Sequence, residues 1–200
     1  MPLHLIIIFV EWTFVILFLV VIVLLCFFLV STLYTYLKTK GGPSAPFIPL
    51  SQDALKKLVS ILVTQDDHVL YELGCGDARV ICTLSQANLK AHYRGIERNL
   101  FVYYLACVRT RFFLLRNKRS FVKVIHGDIF EENLGEATHL VTYLFPEVMN
   151  ALLPKLQKEL KKGSLLYSVD FMFKDKTERE IIPIYSKKLA PEKKIYVYEF

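Results

Sequence analysis

From Trp12 to Val30 the chain runs for nineteen residues without a charge, and Thr13 is the only polar residue among them. As an α-helix such a run is about 28 Å long at 1.5 Å per residue, close to the hydrocarbon thickness of a bilayer. In that medium a helix satisfies every backbone group internally, which an open strand cannot do. Glu11 sets the frame. A helix centred earlier would carry its carboxylate towards the midplane, at a cost of roughly 2.5–3.5 kcal/mol. A span from about Trp12 to Tyr34 avoids this, with Trp12 at one interface and Tyr34 and Tyr36 at the other. A cleaved signal peptide needs a basic start, a shorter apolar core and a small-x-small site, and none of these is present. Residues 1–37 are therefore expected to be a retained anchor. Lys38 and Lys40 follow the span directly and no Lys or Arg precedes it. The positive-inside rule then places the C-terminal part in the cytoplasm.

All 25 basic residues follow Leu37, together with 18 of the 19 acidic ones, so that part of the chain carries a formal charge of +7. It is long enough for one core. A basic domain beside a bilayer is attracted to anionic headgroups, by about 1 kcal/mol per Lys or Arg near the surface. Nucleic acid is the other usual partner, and charge alone does not separate the two. Cys26, Cys75, Cys82 and Cys107 show no CxxC, and the five histidines form neither HxxxH nor HExxH. No disulfide framework and no metal site is expected.

Gly41-Gly-Pro-Ser-Ala-Pro falls within a linker over 38–50, and a domain is expected over 51–200. Ser51 reads as an N-cap for a helix that ends near Thr64. Strands and helices then alternate. The strands are His68–Leu73, His92–Glu97, Phe121–His126, His139–Leu144 and Ser164–Val169; the helices are Asp77–Leu89, Asn99–Asn117 and Pro146–Lys161. Between the third and fourth strands there is room for about one helical turn. This order predicts a parallel α/β sheet. Two further strands, Ile181–Leu189 and Lys194–Phe200, predict an antiparallel hairpin at one edge.

The stretch that carries chemistry is Val69-Leu-Tyr-Glu-Leu-Gly-Cys-Gly-Asp-Ala-Arg79, an apolar strand running into a glycine turn that opens a helix. Glycines let the backbone approach a ligand and adopt conformations closed to other residues. A dinucleotide site wants G-x-G-x-x-G, and Arg79 stands at the third glycine position. A ligand with a cationic amino acid moiety instead wants an acid at the strand end, which Glu72 supplies. Glu97 ends the second strand, 25 residues after Glu72, where a carboxylate can accept from both hydroxyls of a ribose. Asp128 follows the third strand, where it can accept from an adenine amino group. Each acid alone has an ordinary structural explanation; three in series at adjacent strand ends describe a nucleoside site.

These residues resemble the motifs of class I methyltransferases that use S-adenosyl-L-methionine (SAM): ELGCGDARV the first, GIE the second and HGD the third. The likeness covers roughly residues 46–200. It is closest to small membrane-anchored members related to the lysine methyltransferases of the ATP synthase c-subunit, through the span, Pro46-Phe-Ile-Pro49 and Tyr143-Leu-Phe-Pro146. Two departures stand out: Ser168-Val-Asp-Phe171 lacks the histidine of the bacterial Ser-His-Asp-Phe, and Ala78 replaces the third glycine of the first motif. The resemblance implies a Rossmann-like seven-stranded sheet with SAM as cofactor. It places Glu72, Gly74, Cys75 and Gly76 at the methionine end, Glu97 at the ribose, and Asp128 with Ile129 at the adenine. Tyr143 to Pro146 would border the transferred methyl, and Tyr143 and Asp170 are the residues available to orient an acceptor. No catalytic base is evident, because amine methylation is largely a matter of positioning. The Asn/Asp-Pro-Pro-Tyr of DNA amino methyltransferases is absent, which lowers the nucleic-acid reading. The resemblance implies methylation of a lysine on a membrane or membrane-proximal protein; a lipid or quinone acceptor, or a SAM-binding module without turnover, are the alternatives.

Overall fold

The computed structural model describes residues 3–38, 47–185 and 193–200. Helix α1 (Leu3–Lys38) is 36 residues long. Its segment Ile6–Tyr34 is long and apolar enough to cross a membrane, and most of its side chains are exposed, while Ser31 is buried. The expected span lies inside this helix, which also continues back through Glu11. The middle of the expected linker, 39–46, including Lys40 and Pro46, lies outside the described residues.

Helix α2 (Gln52–Ile61) starts where Ser51 Oγ accepts from the Ala54 amide, as expected, and buries Ala54, Leu55 and Leu58. Then follow β1 (Val69–Leu73), α3 (Arg79–Leu84), β2 (His92–Glu97), α4 (Leu100–Arg116), β3 (Phe121–His126), β4 (His139–Thr142), α5 (Pro146–Glu159), β5 (Leu165–Val169), β6 (Glu180–Ile184) and β7 (Lys193–Glu199). The seven strands form one sheet in the order β3-β2-β1-β4-β5-β7-β6. Its first five strands are parallel, and β7 runs antiparallel to both β5 and β6. This is the expected Rossmann-like sheet with its terminal antiparallel pair. Residues 186–192, where the expected first tail strand ends and its connection begins, lie outside the described residues. Pro183 sits in β6, an outermost strand, where the lack of an N–H costs least.

Alternation along each strand sends side chains into two cores. Leu70 of β1 faces the one built with α2, α3 and α4, while Tyr71 and Leu73 face the one under α5. The chain lays β2 and β3 to one side of β1, then returns to place β4 on the other. That reversal opens a crevice at the carboxyl ends of β1 and β4.

Three expected elements differ. Strand β6 ends at Ile184, not Leu189, and Tyr185 already lies outside it. Helix α3 has six residues, not the thirteen of Asp77–Leu89. At its start, Asp77 is drawn into a side-chain pairing with Arg79 and Ala78 takes a left-handed conformation, φ 61°, that no helix interior allows. At its end, the Asn88 side-chain Nδ2 donates to the Thr64 carbonyl and the Asn88 backbone carbonyl accepts from the Tyr93 hydroxyl, which holds residues 86–88 out of the helix. Strand β4 stops at Thr142, not Leu144, because Tyr143 and Leu144 turn to border the crevice.

Candidate cofactor and acceptor site

The glycine turn after β1 is held by the neighbouring strand. The amides of Gly74 and Cys75 both donate to the Ile96 carbonyl, at 3.0 and 2.9 Å. Gly74 and Gly76 have φ of +73° and +55°, a region that penalises any side chain. At Gly76 space is also absent, since a Cβ would lie 2.4 Å from the ring of Phe47. That ring lies over the turn and joins it as a wall of the crevice.

The crevice is a cavity of about 420 Å³, within the size range of small-molecule sites. Glu72, Gly74, Cys75, Gly76, Glu97, Asp128, Ile129 and Tyr143 all border it, so the fold brings together every residue expected at the cofactor. Asp170 is not in the wall; it follows Val169, which is. The two oxygens of Glu97 accept from the Gly76 amide (3.0 Å) and the Asn99 amide (2.7 Å). Asp128 accepts from the Phe130 amide at 3.0 Å and from Arg98 at 3.3 Å. Both carboxylates are thus oriented before a ligand arrives.

Glu72 is different. It is buried, its Oε2 accepts from the Ile81 amide at 3.2 Å, and no cationic side chain pairs with it among the described residues. Burial, aided by the negative charges of Asp77 and Glu97, pushes its pKa well above the usual carboxylate range. Burial raises Glu97 as well. Burial also works against ionised Asp77, but its Arg79 hydrogen bond and the charges of Arg109 and Arg79 outweigh it, so that carboxyl titrates below its usual range. The cavity therefore holds an excess of acid beside Glu72 that a ligand cation would relieve.

At the other end, Lys193 Nζ donates to Asp170 Oδ2 at 2.6 Å and to the Tyr143 hydroxyl at 3.3 Å, and lies 5.3 Å from the Tyr143 ring centre. Burial works against the Lys193 charge, but its Asp170 and Tyr143 partners outweigh it, so the ammonium keeps its proton above the usual range. Asp170 itself is left-handed, φ 64°. Tyr143 also stacks on Phe171, with ring centres 5.7 Å apart. Two sequence candidates for orienting an acceptor thus meet through a lysine that sequence reading did not single out.

The largest omission of sequence reading is the wall that α1 contributes. Phe28, Thr32 and Tyr36, four residues apart on one face of α1, line the same cavity. Thr32 Oγ1 accepts from Asn99 Nδ2 at 3.3 Å, and Asn99 caps α4 by accepting from the Val102 amide. Through Asn99, α1 is joined to Glu97. Phe47, Ile48 and Pro49 complete the wall. The i, i+4, i+8 spacing of Phe28, Thr32 and Tyr36 was the only available signal, and an all-apolar segment hides it.

Comparison with known proteins bears on the family and the fold. A family model described as the ANTKMT methyltransferase domain matches residues 72–180, from the acid of β1 to the start of β6. A protein-lysine N-methyltransferase of Saccharolobus islandicus (strain REY15A) is 29% identical over 146 residues, covering 71% of this chain and 86% of its own. An RNA methyltransferase from Salinibacter ruber, solved with S-adenosyl-L-homocysteine, is similar at a TM-score of 0.65 and 24% identity, over 76% of this chain and 93% of its own. A precorrin-6y C5,15-methyltransferase from Geobacter metallireducens GS-15 is similar at 0.58 and 15%, over 80% and 94%. At such identities these two structures speak for the fold alone.

Proposed function

The chain belongs to the family of ANTKMT methyltransferase domains, and from that premise we propose that it is a membrane-anchored enzyme that methylates a lysine of a membrane or membrane-proximal protein. It is a SAM-dependent methyltransferase, and SAM supplies a methyl group made electrophilic by its sulfonium. The residues present fit that molecule. Glu72, unpaired by any cationic side chain among the described residues and crowded by acid, suits the cationic amino acid end, with Gly74, Cys75 and Gly76 giving backbone access. Glu97 suits the ribose, and Asp128 with Ile129 the adenine.

Tyr143 and Asp170 are assigned to acceptor positioning. The observation that carries the lysine reading is the arrangement they form: a carboxylate and an aromatic face that already hold a lysine ammonium, that of Lys193. An arriving lysine needs the same partners. It must lose its proton before attack, so the rate is expected to rise with pH. The relative from Saccharolobus islandicus, a protein-lysine methyltransferase by name, supports this acceptor class.

Anchoring rests on α1, and a cytoplasmic domain on Lys38 and Lys40. Phe28, inside the apolar segment, lines the cavity, and this one contact favours a lipid or quinone acceptor as the second reading. Incubating the full-length chain in nanodiscs with tritiated SAM and host membrane fractions separates the two. Label in protein, recovered as methyl-lysine, is the expected result. Label confined to the lipid extract gives the site to the second reading, and label nowhere leaves a SAM-binding module.

A further inference from the structure

A helix that flanks a sheet buries one face and turns a polar face outward. Helix α5 exposes no large apolar side chain: its exposed positions are Pro146, Glu147, Ala151, Pro154, Gln157 and Lys158. Helix α4 differs. It buries Val102, Ala106 and Thr110 against the sheet, yet on the opposite side Tyr104, Leu105, Val108, Phe112 and Leu115 are 43–66% exposed. At 3.6 residues per turn these five and Phe101 fall within an arc of about 100° and extend for roughly 21 Å. Arg111 borders the stripe on one side and Arg116 on the other, and Lys118 and Arg119 follow the helix; all four are exposed. An apolar stripe edged by arginines is the pattern of a helix lying in a membrane interface.

The anchor docks on the start of this same stripe. Phe27 meets Phe101 and Tyr104, with ring centres 5.6 and 6.4 Å apart, and Phe28 meets Phe101 at 5.3 Å. Phe28 stands six residues before Tyr34, about 9 Å along the helix axis, and so lies inside the apolar segment. With α1 read as a membrane span, these contacts set the first turn of α4 at the depth of lipid, and the rest of its apolar stripe continues that surface.

We propose that α4 is an interfacial helix, its stripe embedded at the headgroup–acyl boundary of the leaflet from which the C-terminal end of α1 emerges. Arg111, Arg116, Lys118 and Arg119 reach anionic headgroups from there, keeping their stems in the apolar layer. The proposal rests on reading α1 as a membrane span. Two attachments then fix the domain, where a single linker would let it swivel. The cavity walled by Phe28, Thr32 and Tyr36 is held at the membrane surface, and the acceptors it can reach are lysines presented at headgroup level.

The test uses the full-length chain carrying Cys26→Ser and Cys107→Ser, in vesicles of phosphatidylcholine and phosphatidylglycerol. A fluorophore is placed on Val108→Cys, Phe112→Cys, Val20→Cys within the span, or Lys158→Cys on α5. Phospholipids carrying a nitroxide at a shallow or a deep acyl position serve as quenchers. Shallow quenching at 108 and 112 should exceed that at 158 by about threefold or more, as expected for a stripe buried at the interface. If 108 and 112 match 158 while 20 is quenched by the deep nitroxide, the interfacial helix is refuted and the span stands. If 20 also escapes quenching, the span falls and takes the proposal with it. A disulfide forming between two copies through Phe112→Cys would give the stripe to a second copy of this chain and overturn the proposal.

Discussion

At the ends of β1, β2 and β3 the acids that bound the cavity accept mainly from backbone amides. Glu97 accepts from the amide two residues on and from the glycine turn beside it, and Asp128 from the amide two residues on. At the ends of β4 and β5 the corresponding groups are held by side chains remote in sequence: Lys193 reaches Asp170 across 23 residues and Tyr143 across 50. The first side is stiff and specified by residue type at fixed spacing; the second is assembled by the sheet and held by long polar side chains. Changes on the cofactor side should therefore act steeply on SAM binding. Changes on the acceptor side should act more gently, on acceptor turnover alone.

The steepest break is expected at Gly76. A valine there would need a left-handed β-branched residue and would drive its Cβ into Phe47. Gly76→Val should weaken SAM binding by about 100-fold or more, since displacing a wall by an ångström commonly costs that much. Calorimetry on the full-length chain in nanodiscs measures it, because α1 forms part of the wall and a truncated domain would not report on the whole site. Glu97→Ala should follow at roughly 10- to 100-fold, the loss of a charge-assisted acceptor at about 1.5–3 kcal/mol. Unchanged affinity in either variant would remove the distinction between the two sides.

A pH series sharpens it further. Glu72 has its pKa raised by burial above the ordinary 4.5. The ligand-free folded state thus binds a proton that the unfolded state has lost, and its stability should fall as pH rises from about 4.5 through the raised value. Cationic SAM favours ionised Glu72, so its affinity should rise several-fold over the same window. Thermal melts with and without SAM would show the two trends crossing, and Glu72→Gln should weaken both, leaving the part due to Glu97. Parallel trends would mean that Glu72 does not meet the ligand cation.

On the acceptor side, Asp170→Asn and Lys193→Met should each change acceptor kcat/KM by about tenfold, the size expected of a positioning effect. SAM affinity should stay within about twofold, because neither side chain lines the cavity itself. A loss of SAM affinity equal to that of Glu97→Ala would merge the two sides into one.

How much of this was legible in the sequence divides along the same line. The alternation of strands and helices, the terminal antiparallel pair and the three acids were readable because each depends on local pattern: alternation, a glycine turn, a carboxylate at a strand end. The short α3 was not, because what ends it is Asn88 meeting Thr64 and Tyr93, a tertiary contact that propensity does not encode. Lys193 was not, because lysines are common and only the pairing of β7 with β5 brings this one to Asp170. The wall formed by α1 was least legible of all, since an apolar helix looks the same whether lipid or protein covers each face.

The smallest effect is expected two residues beyond the largest. Ala78, like Gly76, is left-handed and belongs to the same turn, and it stands where the family motif has glycine. Holding an L-residue there costs about 1–2 kcal/mol. Ala78→Gly removes that strain. It also gives the unfolded chain more freedom, worth roughly 0.4–1 kcal/mol, and strips a fully buried methyl worth about 0.8 kcal/mol. These terms nearly cancel, so stability by denaturant titration should move by less than about 1 kcal/mol, and SAM affinity by less than about twofold, because the wall around Gly76 and Phe47 is untouched. The same backbone region thus tolerates a methyl where the protein core receives it and rejects one where Phe47 closes the turn. A tenfold gain in SAM affinity from Ala78→Gly would mean that strain in the turn limits binding, and that the stiffness assigned to the cofactor side is a hindrance there and not a preorganised wall.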